Sequence, residues 1–73
     1  MKREQIIQEL SAYNERKGID CSYFKIGRTT VGVYRDVVCI ADKDMYSTQP
    51  IESIQAIHFH PSHVCIGDTS IIY

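Results

Sequence analysis

The sequence has no tryptophan, only two phenylalanines and two prolines, and no long apolar segment. Its longest unbroken apolar run is Val37–Ala41, whereas a helix needs about 20 apolar residues to cross a bilayer. It also has no internal repeat and no glycine-rich phosphate-binding loop. These absences exclude a membrane-spanning protein, a repeat protein and a large multi-part enzyme. The 73 residues fit one domain, residues 1–73, because a single domain commonly holds about 100–150.

The cysteines are too few, and odd in number, for a disulfide-stabilised secreted scaffold. The three thiols belong to Cys21, Cys39 and Cys65, and such a pattern is typical of a reducing compartment. The first residues lead into an amphipathic pattern and not into the apolar region of a signal peptide. We therefore expect a cytoplasmic protein in which Cys21 and Cys39 are small core residues.

Charge of one sign is not in excess either. Lys plus Arg number 8 and Asp plus Glu number 9, which gives a formal net charge of −1. A basic excess is what attracts proteins to nucleic acid or to anionic lipid. The composition therefore indicates no obligate nucleic-acid partner and no membrane partner.

Apolar residues near the N-terminus recur with helical spacing. Ile6, Leu10 and Tyr13 lie at positions i, i+4 and i+7, while charged residues occupy the opposite face. Gly18 follows, and glycine commonly ends a helix by adopting the left-handed conformation. The spacing predicts a helix over residues 2–17 that ends at Gly18.

From Cys21 onward the pattern changes to a period of two, with many β-branched residues. This alternation, interrupted by turn-forming pairs such as Gly27-Arg28, predicts short strands. The predicted strands are 21–26, 29–34, 37–41, 54–60, 63–66 and 70–73. Residues 45–50 fit either a loop or an edge strand, and Pro50 is suited to open one helical turn.

These elements predict an α+β fold in which one N-terminal helix packs on a bent antiparallel sheet of four to six short strands. Consecutive strands joined by tight turns favour a meander. Curling of the sheet into a partial barrel is the alternative. The order of one helix and about five short strands resembles that of Sm-like and other small barrels.

The segment 57–66 contains all three histidines and one cysteine. If the two residues after His60 form the tip of a hairpin, His60 lies opposite His63, and His58 lies opposite Cys65. Side chains alternate across a strand, so these four share one face. The other face is predicted to belong to the core, and it consists of Ile57, Phe59, Val64 and Ile66.

Imidazole and thiolate groups are ligands that zinc prefers in proteins. Directly opposed Cβ atoms in a hairpin are about 4.5–5.5 Å apart, which is close enough for such groups to converge. One interpretation of the pattern is therefore a zinc site at His58, His60, His63 and Cys65. The other interpretation is a hairpin with a polar, solvent-facing side and no cofactor.

Tyrosine is frequent for a chain of this length, with five residues of this type. Tyrosine and arginine are enriched in protein–protein interfaces, particularly among the residues that contribute most binding energy. The residues expected to contact a partner are Tyr23, Arg28, Tyr34, Arg35, Tyr46 and Tyr73. The sequence contains no recognisable set of nucleophile, base and oxyanion donors, so we expect no enzymatic activity.

The function expected from these features is that of a small interaction module. It would be a regulator or inhibitor that docks on a larger protein, of the kind that bacteria and phages encode as single domains. The partner is another protein, with a homodimer included among the expected assemblies. An alternative is binding of single-stranded nucleic acid such as RNA, since Lys25 and Arg28 lie near the aromatic residues Tyr23, Phe24 and Tyr34.

Overall fold

The computed structural model describes residues 1–73 and contains one α-helix, one 3₁₀ turn and eight strands. Helix α1 spans Arg3–Leu10 and the 3₁₀ turn spans Ile51–Ser53. The strands are β1 Arg16–Gly18, β2 Cys21–Ile26, β3 Thr29–Val33, β4 Val37–Ala41, β5 Tyr46–Pro50, β6 Ile57–Phe59, β7 His63–Ile66 and β8 Thr69–Ile72. Paired strands are antiparallel and form a larger sheet, β1-β2-β3-β4-β5, and a smaller sheet, β6-β7-β8. The predicted α+β class is confirmed, but there are two sheets, and neither is closed into a barrel.

The core lies where α1 and the inner faces of the two sheets meet. Alternate residues of β2, β3 and β4 point inward together, because cross-strand partners share a face. Phe24 pairs with Val31, Val31 pairs with Ile40, and all three side chains are buried. The fourteen buried apolar residues of the core are Ile6, Leu10, Phe24, Ile26, Val31, Val33, Val38, Ile40, Ile51, Ile54, Ile57, Val64, Ile66 and Ile71.

The helix is shorter than predicted, because α1 ends at Leu10 and not near Gly18. Residues 11–13 form a turn in which the Tyr13 amide donates to the Leu10 carbonyl. Gly18 belongs to β1, which pairs with the edge of β2 instead of continuing the helix. Tyr13 still packs against the core from this turn. Its apolar ring therefore continues the helical spacing of Ile6 and Leu10 beyond the end of α1, and the spacing predicts a helix that is too long. No helix of the chain is long and apolar enough to cross a membrane.

Most strand predictions are confirmed within a residue. The predicted bounds of β2, β4 and β7 agree with the structure, while β3 ends one residue earlier and β8 is shifted by one residue. The predicted strand 54–60 is reduced to β6, because Ile54 follows the 3₁₀ turn and fills the core. Residues Tyr46–Pro50 form β5, an edge strand of the larger sheet, and the predicted helical turn follows it.

The side chain of Gln49 connects the two sheets. Its Nε2 donates to the carbonyl oxygen of Ile66 at 3.1 Å and to Oγ1 of Thr69 at 3.0 Å. Its Oε1 accepts a hydrogen bond from the Asp68 amide at 3.3 Å. These hydrogen bonds hold the β7–β8 turn against β5 and so fix the position of the smaller sheet relative to the larger one.

Candidate functional site

The hairpin formed by β6 and β7 has the register that the alternation predicts. Its cross-strand pairs are Ile57–Ile66, His58–Cys65 and Phe59–Val64. The amide of His60 donates to the carbonyl of His63 at 2.9 Å, so Pro61 and Ser62 form the loop between them. Neither loop residue has a positive φ, which proline cannot adopt. The histidines therefore lie with Cys65 on the outer face of the smaller sheet, as predicted.

Three of the four predicted ligands come together on this face. The rings of His60 and His63 are stacked, with centroids 4.4 Å apart and planes 15° apart. One potential ligand atom from each of His60, His63 and Cys65 lies within 4.8 Å of the others. We call these three residues the histidine–cysteine cluster. His58 lies outside it: its ring is 6.5 Å from that of His60 and borders a shallow depression beside Asp68.

Two serine hydroxyls contact the histidine–cysteine cluster. Ser62 Oγ lies 3.1 Å from Nδ1 of His63, and Ser70 Oγ lies 3.5 Å from Sγ of Cys65. When Nδ1 of His63 donates to Ser62, its Nε2 lone pair is free to bind a cation. Sequence reasoning missed both serines, although Ser70 becomes the partner of Cys65 as soon as β8 is paired with β7.

Phe59 is half-exposed, so its predicted place in the core is wrong. It lies on the inner face of β6, yet 46% of its surface is accessible to solvent. Its ring stacks on Tyr13 with centroids 6.1 Å apart, and Tyr13 stacks on Tyr73 at 6.1 Å. The hydroxyls of Tyr13 and Tyr73 form a hydrogen bond of 2.6 Å. The turn after α1 brings Tyr13 to the end of the smaller sheet, where these three rings form an aromatic stack.

The aromatic stack predicts a loss of stability at alkaline pH. Burial, followed by the hydrogen bond to Tyr73, raises the pKa of Tyr13 to about 12, above the ordinary tyrosine value of 10.0. The folded state therefore binds this proton more tightly than the unfolded state does. Its stabilising contribution is complete below about pH 10 and is lost as the pH rises toward about 12.

An NMR titration of the tyrosine ring carbons measures this pKa residue by residue. Tyr73→Phe is the control, since it keeps the ring but removes the hydrogen bond, and it is expected to lower the pKa of Tyr13. Ionisation of Tyr13 near pH 10 in the wild-type protein would contradict the hydrogen bond and the burial described above.

Three tyrosines lie on the outer face of the larger sheet. Tyr23 in β2 pairs with Gly32 in β3, and Gly32 pairs with Cys39 in β4, so this row of residues crosses the middle of the sheet. The ring of Tyr34 covers Gly32, where an added Cβ would lie 3.2 Å from the ring. Tyr46, at the start of β5, is 69% exposed. We call Tyr23, Tyr34 and Tyr46 the tyrosine face.

Cysteine thiols raise the pKa of two of these phenols. Hydrogen bonding to Cys21 raises the pKa of Tyr23 to about 12. The hydroxyl of Tyr46 donates to Sγ of Cys39 at 3.5 Å, and this hydrogen bond raises the pKa of Tyr46. Cys21 is buried, as predicted, whereas Cys39 is only half-buried and lies on the outer face. The predicted core position of Cys39 is therefore wrong, because its alternation with Val38 places it on the solvent side.

The other three predicted partner-binding residues do not belong to the tyrosine face. Arg35 is 3.6 Å from Asp20, and both side chains are largely exposed, so this ion pair contributes little to stability. Arg28 occupies the β2–β3 turn and borders a depression shared with Met45 and Tyr73. Tyr73 belongs to the aromatic stack. Their roles in binding stay predictions.

Comparison with known proteins gives no family for this chain: no protein-family model matches it, and neither a curated protein nor a solved structure is significantly similar.

Proposed function

We propose that the chain is a non-enzymatic interaction module, a regulator or inhibitor that docks on a larger protein through the tyrosine face. The observation that carries this proposal is the grouping of Tyr23, Tyr34 and Tyr46 on the outer side of the larger sheet, whose inner side is occupied by the core. An outer sheet face exposed to water is commonly polar. Here it carries aromatic residues of the type that often dominates binding energy at protein interfaces.

Contacts within the sheet order these side chains before a partner arrives. The ring of Tyr34 rests on the backbone of Gly32, and the hydroxyl of Tyr46 donates to Sγ of Cys39. Ordering a mobile side chain at an interface costs about 0.5–1.5 kcal/mol. A partner that covers the tyrosine face therefore gains the burial of three rings at a reduced entropic cost.

The thiols support the proposed location in a reducing compartment such as the cytoplasm. All three cysteines are free, and Sγ of Cys39 accepts the hydrogen bond from the Tyr46 hydroxyl. Oxidation of Cys39 would change the acceptor of this hydrogen bond. The small size of the chain is typical of regulators that bacteria and phages encode as single domains, and we place the proposed module in that class.

Tyr46→Ser is expected to weaken partner binding about tenfold or more, because an interface tyrosine of this kind contributes about 2 kcal/mol. Phe59→Ser is the matched control, since Phe59 is 46% exposed, lies in the aromatic stack and is not among the residues expected to contact a partner. Proteins retained by the immobilised wild-type chain are identified, and the dissociation constant of each is measured with both purified variants. Equal binding by the Tyr46 and Phe59 variants would contradict docking through the tyrosine face.

The same experiment distinguishes other classes of partner. Arg16 and Lys25 border the depression beside Tyr23, so single-stranded nucleic acid is the competing partner. Retention that nuclease abolishes, or affinity that falls steeply with salt, would assign the surface to nucleic acid. A dimer that Tyr46→Ser dissociates in sedimentation would assign it to a second copy of the chain. Either result would overturn docking on a larger protein.

A further inference from the structure

The geometry of the histidine–cysteine cluster points to a second site, and we propose that His60, His63 and Cys65 bind one Zn²⁺ with water in the fourth coordination position. The site lies on the outer face of the smaller sheet, apart from the tyrosine face, and it does not depend on the proposed docking function. Zinc in proteins is bound tetrahedrally by histidine nitrogen and cysteine sulfur, and sites with three protein ligands keep one position for water.

The ligand atoms need to move only a short way to form this site. In a tetrahedral zinc site with bonds of about 2.0–2.3 Å, the ligand atoms are about 3.3–3.6 Å apart. Those of the cluster already lie within 4.8 Å of one another. His60 is exposed, and His63 and Cys65 are half-buried, so small side-chain rotations are sterically open. The backbone need not move, because burial of Val64 and Ile66 fixes the register of the hairpin.

The two serine hydroxyls favour the metal-binding form of the ligands. Ser62 Oγ is placed to accept the Nδ1 proton of His63 at 3.1 Å, which leaves Nε2 free for zinc. Ser70 Oγ, at 3.5 Å from Sγ of Cys65, is placed to donate to the thiolate that zinc requires. Hydrogen-bond partners of this kind commonly change metal affinity by about 10–100-fold. We therefore assign positioning roles to Ser62 and Ser70.

The donor set selects zinc over the abundant hard cations. Mg²⁺ and Ca²⁺ prefer oxygen ligands, and the cluster consists of two imidazoles and one thiol. His58 pairs with Cys65 across the hairpin and its ring lies 6.5 Å from that of His60, but none of its nitrogens joins the group of ligand atoms that lie within 4.8 Å of one another. The proposed site therefore has three protein ligands, one fewer than the alternation of the sequence predicts.

Bound zinc would crosslink the end of β6 to β7 across the Pro61-Ser62 loop. An unfolded chain does not hold the three ligands in one geometry, so zinc binds the folded state preferentially and raises the unfolding temperature. Such a crosslink would add stability to a small domain, whose core buries little apolar surface.

Zinc binding to the purified full-length chain, measured by competition with a chromophoric chelator, tests the assignment. We expect one zinc per chain with a Kd below about 1 µM. Cys65→Ser and His63→Ala are each expected to weaken binding by about tenfold or more and to remove the zinc-induced rise in unfolding temperature. His58→Ala, the matched control, is expected to change the affinity by less than about threefold. Co²⁺ is expected to give a thiolate charge-transfer band that Cys65→Ser lacks.

Two outcomes would overturn the three-ligand site: a Kd above about 1 µM in the wild-type chain, or a loss of affinity in His58→Ala as large as in His63→Ala. Circular dichroism of each variant before zinc is added verifies that it is folded. The zinc affinity of His60→Ala is a second measurement. His60 is the most exposed ligand, so its truncation does not disturb the core. Unchanged affinity in His60→Ala would also overturn the assignment.

Discussion

Phe24→Ala is expected to lower the free energy of unfolding by about 3–5 kcal/mol, the usual cost of truncating a buried phenylalanine. Phe24 is 1% exposed and is the largest fully buried side chain of the protein. It pairs with Val31 on the inner face of the larger sheet, where the strand backbones on both sides limit collapse into the cavity. A domain of 73 residues has a total stability of about 4–11 kcal/mol, so this substitution is expected to remove much of it.

Phe59→Ala is the matched control, because it makes the same chemical change at a half-exposed position. Phe59 keeps 46% of its surface in water, and its ring stacks on Tyr13. We expect a cost of about 1–2 kcal/mol from the lost apolar burial and ring stacking. Urea unfolding followed by circular dichroism measures both values. Equal costs for the two substitutions would contradict the core described here.

The two phenylalanines show what alternation along a strand predicts and what it does not. Alternation assigns Phe59 to the inner face of the hairpin, and that assignment is correct; Phe24 lies on the inner face of the larger sheet. Alternation does not predict depth, which depends on the elements that cover each position. Phe24 lies between two strands of the larger sheet, whereas Phe59 ends the edge strand β6 and is covered by Tyr13.

The end of α1 was not predictable from helical spacing alone. The pairing of Arg16–Gly18 with β2 competes with continuation of the helix, and this pairing depends on a partner strand. The sequence near residues 16–20 gives only a weak indication of this strand pairing. Asp20 closes the β1–β2 turn with φ 59°, a conformation that aspartate tolerates better than most residues. Because the helix ends at Leu10, Tyr13 lies in a turn and stacks on Phe59 and Tyr73. A helix that continued to Gly18 does not predict this stack.

The candidate site was predictable only in part. Alternation places the histidines and Cys65 on one face, but it does not predict that the ligand atoms of only His60, His63 and Cys65 come together. Alternation along single strands does not predict the tyrosine face, because its residues come from different strands. Tyr23 aligns with Cys39 only after β2, β3 and β4 are placed in register, and Tyr46 joins them through the pairing of β5.

Gly67→Ala is expected to cost about 3–5 kcal/mol, because two effects act together. Gly67 has φ 56°, and this left-handed conformation costs an L-residue about 1–2 kcal/mol. An added Cβ would also overlap Oε1 of Gln49, so the Gln49 side chain has to turn away. It then loses its hydrogen bonds to the β7–β8 turn, each with a net contribution of about 0.5–1.5 kcal/mol.

A double-mutant cycle separates these two effects. In a Gln49→Ala background the new methyl group of Gly67→Ala meets no amide, so only the conformational cost of about 1–2 kcal/mol is expected. Urea unfolding of the wild-type chain, the two single variants and the double variant gives every free energy in the cycle. If Gly67→Ala costs the same in both backgrounds, Gln49 does not hold the turn, and the core alone joins the two sheets. A smaller cost in the Gln49→Ala background would instead measure the strength of the polar link between the sheet that carries the tyrosine face and the sheet that carries the histidine–cysteine cluster.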